Sequence, residues 1–155
     1  MRVALVAAIL LAGLLAYIRL APTSAAKWHQ RPAEVAAGLR LPQPTDGPQA
    51  MPGGAYAAVA SDLGGVDLLT RLDAIALATP RTRRIAGTPQ SGMITWETRS
   101  AVWGFPDYTT AEATSDATHG TMLSLVARLR FGSSDLGVNG ARLGLWLQEL
   151  SGQKR

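Results

Sequence analysis

The residues of this chain best suited to chemistry are arginines and acids gathered toward its C-terminal end. Thr121–Phe131 alternates: Leu123, Leu125, Ala127, Leu129 and Phe131 share one parity, and Met122, Ser124, Val126, Arg128 and Arg130 the other. Residues two apart in a strand project on the same side, so Arg128 and Arg130 leave the sheet opposite its apolar face. A guanidinium fork binds phosphate or carboxylate bidentately, so the chemistry on offer is recognition of an anion. Asp135 and Asn139 open the helix that follows, and free amides at a helix N-terminus favour the same kind of ligand. Arg99 joins this group if the Glu97–Arg99 side of its own strand also faces outward. The plainer alternative makes Asp135 a helix cap and the arginines cross-strand partners of Glu97 and Glu112. Arg81-Thr82-Arg83-Arg84 reads either as a lipid-facing basic patch or as a soluble turn.

Other chemistries lack their constellations. There is no cysteine, which removes disulfides, thiolate metal sites and thiol nucleophiles. His29 and His119 are the only histidines, and neither has a second histidine or a near carboxylate at ligand spacing, so no metal is implied. Gly132 to Gly137 lacks the spacing of a serine nucleophile elbow. Gly53-Gly54 and Gly64-Gly65 match no phosphate-cradling loop, and no cofactor is implied. Trp96, Trp103, Phe105, Tyr108, Phe131 and Trp146 read as core.

Positioning these residues falls to three segments. Val3–Ile18 is an unbroken apolar run, followed by Arg19 and stopped by Pro22. As a helix rising about 1.5 Å per residue it is just long enough for a hydrocarbon core. Tyr17 and Trp28 suit the interface, and Arg19 can snorkel to headgroups. A cleaved signal peptide is the rival reading, because Ser24, Ala25 and Ala26 follow; Arg19 between the run and that site favours a retained anchor. Residues 1–55 hold five basic residues against Glu34 and Asp46, and the other hundred hold ten against nine. The overall charge of +4 is therefore concentrated beside the anchor, where it meets anionic lipid. A nucleic-acid domain should instead show a basic face of its own, so nucleic acid is excluded as a partner.

Six of the nine prolines fall between Pro22 and Pro52, which predicts a loop or extended tether over 22–55 that offers little to the domain's core. The domain itself spans 56–155. Ser61 or Asp62 can cap a helix running to about Thr79, with Leu63, Val66, Leu69, Leu72, Ile75 and Ala76 at helical spacing. A short strand over Arg83–Ala86, strands over Met93–Trp103 and Tyr108–Thr114, a turn over Asp116–Gly120, and Thr121–Phe131 follow. After Gly132, Ser134 or Asp135 caps a closing helix with Val138, Leu143, Trp146, Leu147 and Leu150 on one stripe. The order α-β-β-β-β-α predicts an α+β domain, an antiparallel sheet of about four strands with helices on one face.

Three stretches carry a resemblance: RLAPTSAAKWHQRP (Arg19–Pro32), TRSAVWGFPDYTTAEA (Thr98–Ala113) and RLRFGSSDLGVNGARLGLWLQEL (Arg128–Leu150). Together they resemble domain-of-unknown-function family 1499, a membrane-anchored family of bacteria and plastids. The resemblance implies an anchor followed by such a domain and implies no activity. Thr23-Ser24-Ala25-Ala26 departs from the family's Ser-Asp-Pro pattern after the anchor, which removes any role for an acid there.

Two functions are compatible with these residues. One is a non-catalytic, membrane-anchored binding or accessory module that docks an anionic lipid or an acidic partner surface through Arg99, Arg128, Arg130, Asp135 and Asn139. Its location would be a bacterial inner membrane, single-pass, with the domain exported to the periplasm; long downstream domains translocate largely regardless of flanking charge. The other is an envelope hydrolase or transferase using Arg and Asp near the 131–139 turn. The missing nucleophile, base and metal constellations favour the first.

Overall fold

In the computed structural model, which describes residues 2–39, 43–116 and 120–152, the apolar run forms helix α1 (Arg2–Leu20). Val3, Leu5, Ile9, Leu10 and Leu14 are all more than half exposed on it. It is long and apolar enough to cross a membrane. Two one-turn helices follow, α2 (Ala25–Trp28), capped by the Ser24 hydroxyl, and α3 (Pro32–Val35), opened by its proline.

The rest is one antiparallel sheet with two helices. The strands are β1 (Gln49–Met51), β2 (Gly54–Ser61), β3 (Thr82–Thr88), β4 (Met93–Arg99), β5 (Pro106–Asp116) and β6 (Gly120–Leu129); the helices are α4 (Gly65–Ala78) and α5 (Val138–Gly152). Spatial order is β1-β2-β6-β5-β4-β3. The chain leaves β2 at one side, crosses the sheet as α4, and returns strand by strand from the opposite edge until β6 closes against β2.

The fold class is α+β, and the sheet has six strands, not about four. The two additional strands are β1 and β2. GAYAAVAS in β2 is dominated by alanine, whose propensity favours helix, so no strand signal stands out there. Six of its eight residues are buried all the same, paired to β6 from Gly54↔Arg128 to Ser61↔Thr121. Part of the 22–55 stretch is thus sheet rather than tether. The helix expected from Ser61 or Asp62 starts later: Ser61 ends β2, its hydroxyl accepting from the Leu63 amide at 3.2 Å, and α4 begins after Gly64. Strand β4 stops at Arg99 instead of Trp103, because Ser100 to Gly104 form a turn in which the Gly104 amide reaches the Ser100 carbonyl at 3.2 Å. The turn expected over Asp116–Gly120, with His119, falls largely outside the described residues.

One face of the sheet carries Ala55, Ala57, Ile94, Trp96, Ala111, Leu123, Leu125 and Ala127, covered by Leu68, Leu69, Leu72 and Ile75 of α4 and Leu143, Trp146 and Leu150 of α5. Trp96 and Trp146 meet edge to face at 5.6 Å. Each indole N–H has a partner: Asp73 at 2.8 Å for Trp96, and the Thr79 hydroxyl at 2.8 Å for Trp146. Asp73 also accepts from Arg84 at 2.7 Å, so the one acid on the inward side of α4 is paired.

Candidate functional site

The opposite face of the sheet is polar across β4 and β5, carries a smaller apolar cluster of Tyr56, Ala58, Met122 and Val126 toward β2, and is covered by the segment after α1, whose Ala36 packs on that cluster. The even-numbered residues of β5 and β6 and the odd-numbered ones of β4 lie on this side, placing Arg83, Glu97, Tyr108 and Arg128 in one row across four strands. Trp28 stacks on Tyr108 with ring centroids 4.1 Å apart, and the Arg128 guanidinium lies 5.1 Å over the same indole. Arg128 further donates to the Trp28 carbonyl (2.8 Å) and to Gln30 (2.6 Å). His29 meets the Thr95 hydroxyl at 2.8 Å, Thr95 meets Thr110 at 2.9 Å, and Thr110 donates to the Trp28 carbonyl at 3.1 Å. Arg31 pairs with Glu112 at 2.8 Å. Residues 23–36 therefore form a strap. Gly87 makes room for it: a Cβ there, at φ +74°, would lie 2.9 Å from the His29 ring and 1.9 Å from the Met93 carbonyl oxygen.

Where the strap leaves α1, the covered face opens into a cleft of about 510 Å³ lined by Arg19, Arg81, Arg83, Glu97, Arg99 and Gly104, among others. Four elements deliver its arginines: the last turn of α1, the lead into β3, β3 itself and the end of β4. Glu97 is fully buried. Its Oε2 accepts from Arg83 (2.5 Å) and from the Thr23 hydroxyl (3.1 Å), and its Oε1 lies in an ion pair with Arg99 Nε. The cleft thus holds one carboxylate, paired with two guanidinium groups, and two further arginines, so it keeps an excess of positive charge.

Each arginine is held by part of its fork. Arg19 donates to the Val102 carbonyl (3.0 Å), Arg81 through Nε to the Arg99 carbonyl (3.0 Å), and Arg99 through Nη1 to the Gly104 carbonyl (3.1 Å). A guanidinium has five N–H donors, so these contacts orient the groups and leave donors for a ligand. Arg81 also sits at φ +61°, a left-handed conformation costing about 1–3 kcal/mol for a non-glycine residue. The reciprocal bond from the Arg99 amide to the Arg81 carbonyl (3.1 Å) holds it there.

Of the residues singled out from sequence, Arg99, Arg128 and Arg130 share this face. Arg130 donates to the Pro22 carbonyl (3.1 Å) and the Tyr108 hydroxyl (3.3 Å), so Arg128 and Arg130 fasten the strap, while Arg99 reaches the cleft. Burial lowers the pKa of Arg128; the surrounding carbonyls and indole supply the polar contacts. Asp135 and Asn139 are not brought to these arginines. Asp135 accepts from the amides of Gly137 (3.1 Å) and Asn139 (2.8 Å). Burial alone would raise its carboxyl pKa, and the hydrogen bonds it accepts, those two amides foremost, together hold the group below the ordinary carboxylate value. Asn139 is buried on the helical side, its side-chain Oδ1 accepting from Arg142 at 2.7 Å. Arg142 also reaches Asp107 at 3.2 Å. There desolvation raises the carboxyl pKa and prevails over the opposing charge and hydrogen bond of Arg142.

Sequence reasoning did not assemble Arg19, Arg81, Arg83 and Glu97 into one site. The basic cluster at 81–84 and the shared parity of Glu97 and Arg99 were the available signals; what was missing was the register that sets Arg83 opposite Glu97. No protein-family model matches the chain, and no curated protein matches it.

Proposed function

We propose that α1 anchors the chain in a membrane and that the domain is a non-catalytic binding module, its arginine cleft docking an anionic group at the membrane surface. The observation that carries this reading is the convergence of Arg19, Arg81, Arg83 and Arg99 on one cleft beside the last turn of the anchor, around a buried carboxylate that pairs with Arg83 and Arg99. Planar forks aimed into a common space suit phosphate or carboxylate, and a cleft at the end of an apolar helix meets lipid headgroups first. An anionic headgroup is the favoured ligand, and an acidic patch on a partner protein of the same membrane is the alternative source of that charge. The corner formed by Asp135 and Asn139 has no part in it, since Asp135 accepts the amides of Gly137 and Asn139 at the start of α5 and the Asn139 side chain accepts from Arg142. A bacterial inner membrane with the domain on the periplasmic side belongs to the same proposal, as does the kinship with family 1499.

The test uses the full chain in detergent micelles. Adding a short-chain phosphatidate should raise its Tm, and the double variant Arg81→Gln/Arg83→Gln, in which Arg99 still pairs with Glu97, should fold with a lower Tm and lose that rise. An acidic peptide that raises the Tm where the lipid does not would assign the cleft to a partner protein. If neither ligand acts on the wild-type chain, the cleft is not a docking site. Resistance of the protein to alkaline carbonate extraction, with the apolar segment still attached, checks the anchor separately.

A further inference from the structure

Two loops at the anchor end of the domain expose apolar side chains that nothing in the fold covers. In the turn after β4, Val102 is 69% and Trp103 48% exposed; in the loop after β6, Leu136 is 93% exposed. Val138 and Leu145 continue the exposure along α5, in a groove shared with Ser100 and Ala101 of the first loop. Single exposed leucines are ordinary. Leu136 is less so, because it is held at φ +52°, a backbone conformation unfavourable for leucine. The Ser134 hydroxyl, accepting from the Leu136 amide at 3.3 Å, and Asp135, accepting from Gly137, fix that turn. Local bonds thus hold the side chain out in a strained presentation.

Both loops are fastened to the end of α1. Arg19 donates to the Val102 carbonyl at 3.0 Å, and its side chain lies across Gly104, where a Cβ would come within 3.1 Å of it. Arg99 reaches the Arg19 carbonyl at 3.3 Å. The ring of Phe131 meets Tyr17 of α1 at 6.3 Å and Phe105 of the other loop at 6.2 Å. Depth follows from length. At about 1.5 Å per residue, the nineteen residues of α1 rise nearly the full hydrocarbon thickness of about 30 Å. The last turn of α1 therefore lies at headgroup level, and so do Val102, bonded to Arg19, and Phe131, packed on Tyr17, where the two loops meet it.

We propose that loops 100–105 and 130–137 form an interfacial membrane face, seated in the leaflet where α1 ends. The proposal rests on α1 spanning the membrane. Val102 and Leu136 enter the acyl boundary, and Trp103 takes the interfacial position that suits an amphipathic indole. The arginine cleft stands beside this face, matched in charge to anionic headgroups. The occupant is thus the lipid surface itself, continuous with the anchor. Asp135 is the one acid in these loops, and its oxygens are turned to backbone amides.

The absence of cysteine allows single labels to report depth in the full chain. Val102→Cys, Leu136→Cys, Leu10→Cys in α1 and Gln90→Cys at the far end of the sheet are each coupled to an environment-sensitive fluorophore. The proteins are reconstituted into vesicles of zwitterionic and anionic phospholipid. Labels at positions 10, 102 and 136 should shift to the blue and be quenched by nitroxide on lipid chains, while the label at 90 should be quenched by aqueous iodide. If position 10 is lipid-quenched but 102 and 136 behave like 90, the face stands clear of the bilayer and the proposal fails with the anchor intact. Iodide quenching at all four positions overturns both. Labels at 102 and 136 shielded from both quenchers would mean that protein covers this end, which also overturns the proposal.

Discussion

The two faces of the sheet are built on different principles. The helical face is closed by apolar contact: Leu72, Ile94, Trp96, Leu125, Leu143 and Trp146 are all almost fully buried, both indole N–H groups are paired, and Thr109 Oγ1 and Asn139 Nδ2 are buried there without a partner among the described residues. The strap face is closed largely by directed bonds, with Trp28 stacked on Tyr108, threonine hydroxyls in a chain, Glu97 held by Arg83 and Arg99, and Arg31 paired to Glu112; only a smaller apolar cluster, Ala36 on Tyr56, Ala58, Met122 and Val126, adds to them. Apolar burial is non-directional and tolerates some repacking. A face made of ion pairs and hydrogen bonds fixes geometry instead, and loses more when one partner goes than the pair contributes net. The functional candidate sits where the directed face runs out, beside the end of α1.

Removing the strap is the harshest way to break this contrast. A chain beginning at Gly54 would uncover Tyr56, Thr95, Tyr108 and Thr110, all fully buried now, and would take away the partners of Arg128 and Glu112. It should melt broadly and expose apolar surface to dye. Cooperative unfolding of that fragment at the full chain's Tm would show that the helical face suffices.

Single substitutions grade the faces more finely. Trp146→Ala empties a buried site between α5 and the sheet and should cost about 3–5 kcal/mol in denaturant titration. Trp28→Ala removes one stacked ring from a cover of short helices and should cost about 2 kcal/mol. Equal losses would mean that the strap is as much core as α5 is.

The smallest effect belongs to Asp135→Ala, which removes the acceptor for the Gly137 and Asn139 amides and should cost about 1 kcal/mol. Its pH dependence has a definite sign. Because the folded carboxyl pKa lies below the unfolded value of 3.8, the stabilisation is complete above that value and disappears as pH falls through the folded pKa. The gap in Tm between variant and wild type should hold steady near neutrality and narrow only in strong acid.

These differences also mark what could be read from residues alone. Alternation in Thr121–Phe131 and the apolar stripe of the last helix were sufficient for the helical face, because burial of one parity leaves a periodic trace. Asp135 was legible as a cap for a similar reason: its spacing to the next amides is local. The strap was not legible. It is held by contacts between residues 66 to 100 positions apart, such as His29 with Thr95 and Arg128 with Trp28, and no local period announces such bonds. Strand β2 escaped because its alanines fill tight space beneath the strap and helices without any β-branched signal apart from Val59. The run from Met93 to Trp103 misled in the other direction, since Val102 and Trp103 look like strand but stand on an exposed turn. Arg128 and Arg130 were placed on the right face, yet nothing in the sequence showed that the strap already occupies them.

The docking of an anion in the arginine cleft is tested most directly by native mass spectrometry of the full chain released from nanodiscs of mixed zwitterionic and anionic phospholipid. Wild-type protein should retain one anionic lipid in preference to the more abundant zwitterionic one. Arg81→Gln/Arg83→Gln should lose that preference, while Arg142→Gln, altered on the helical face, should keep it. Retention of the anionic lipid by all three proteins alike, or by none, would contradict the assignment of the cleft.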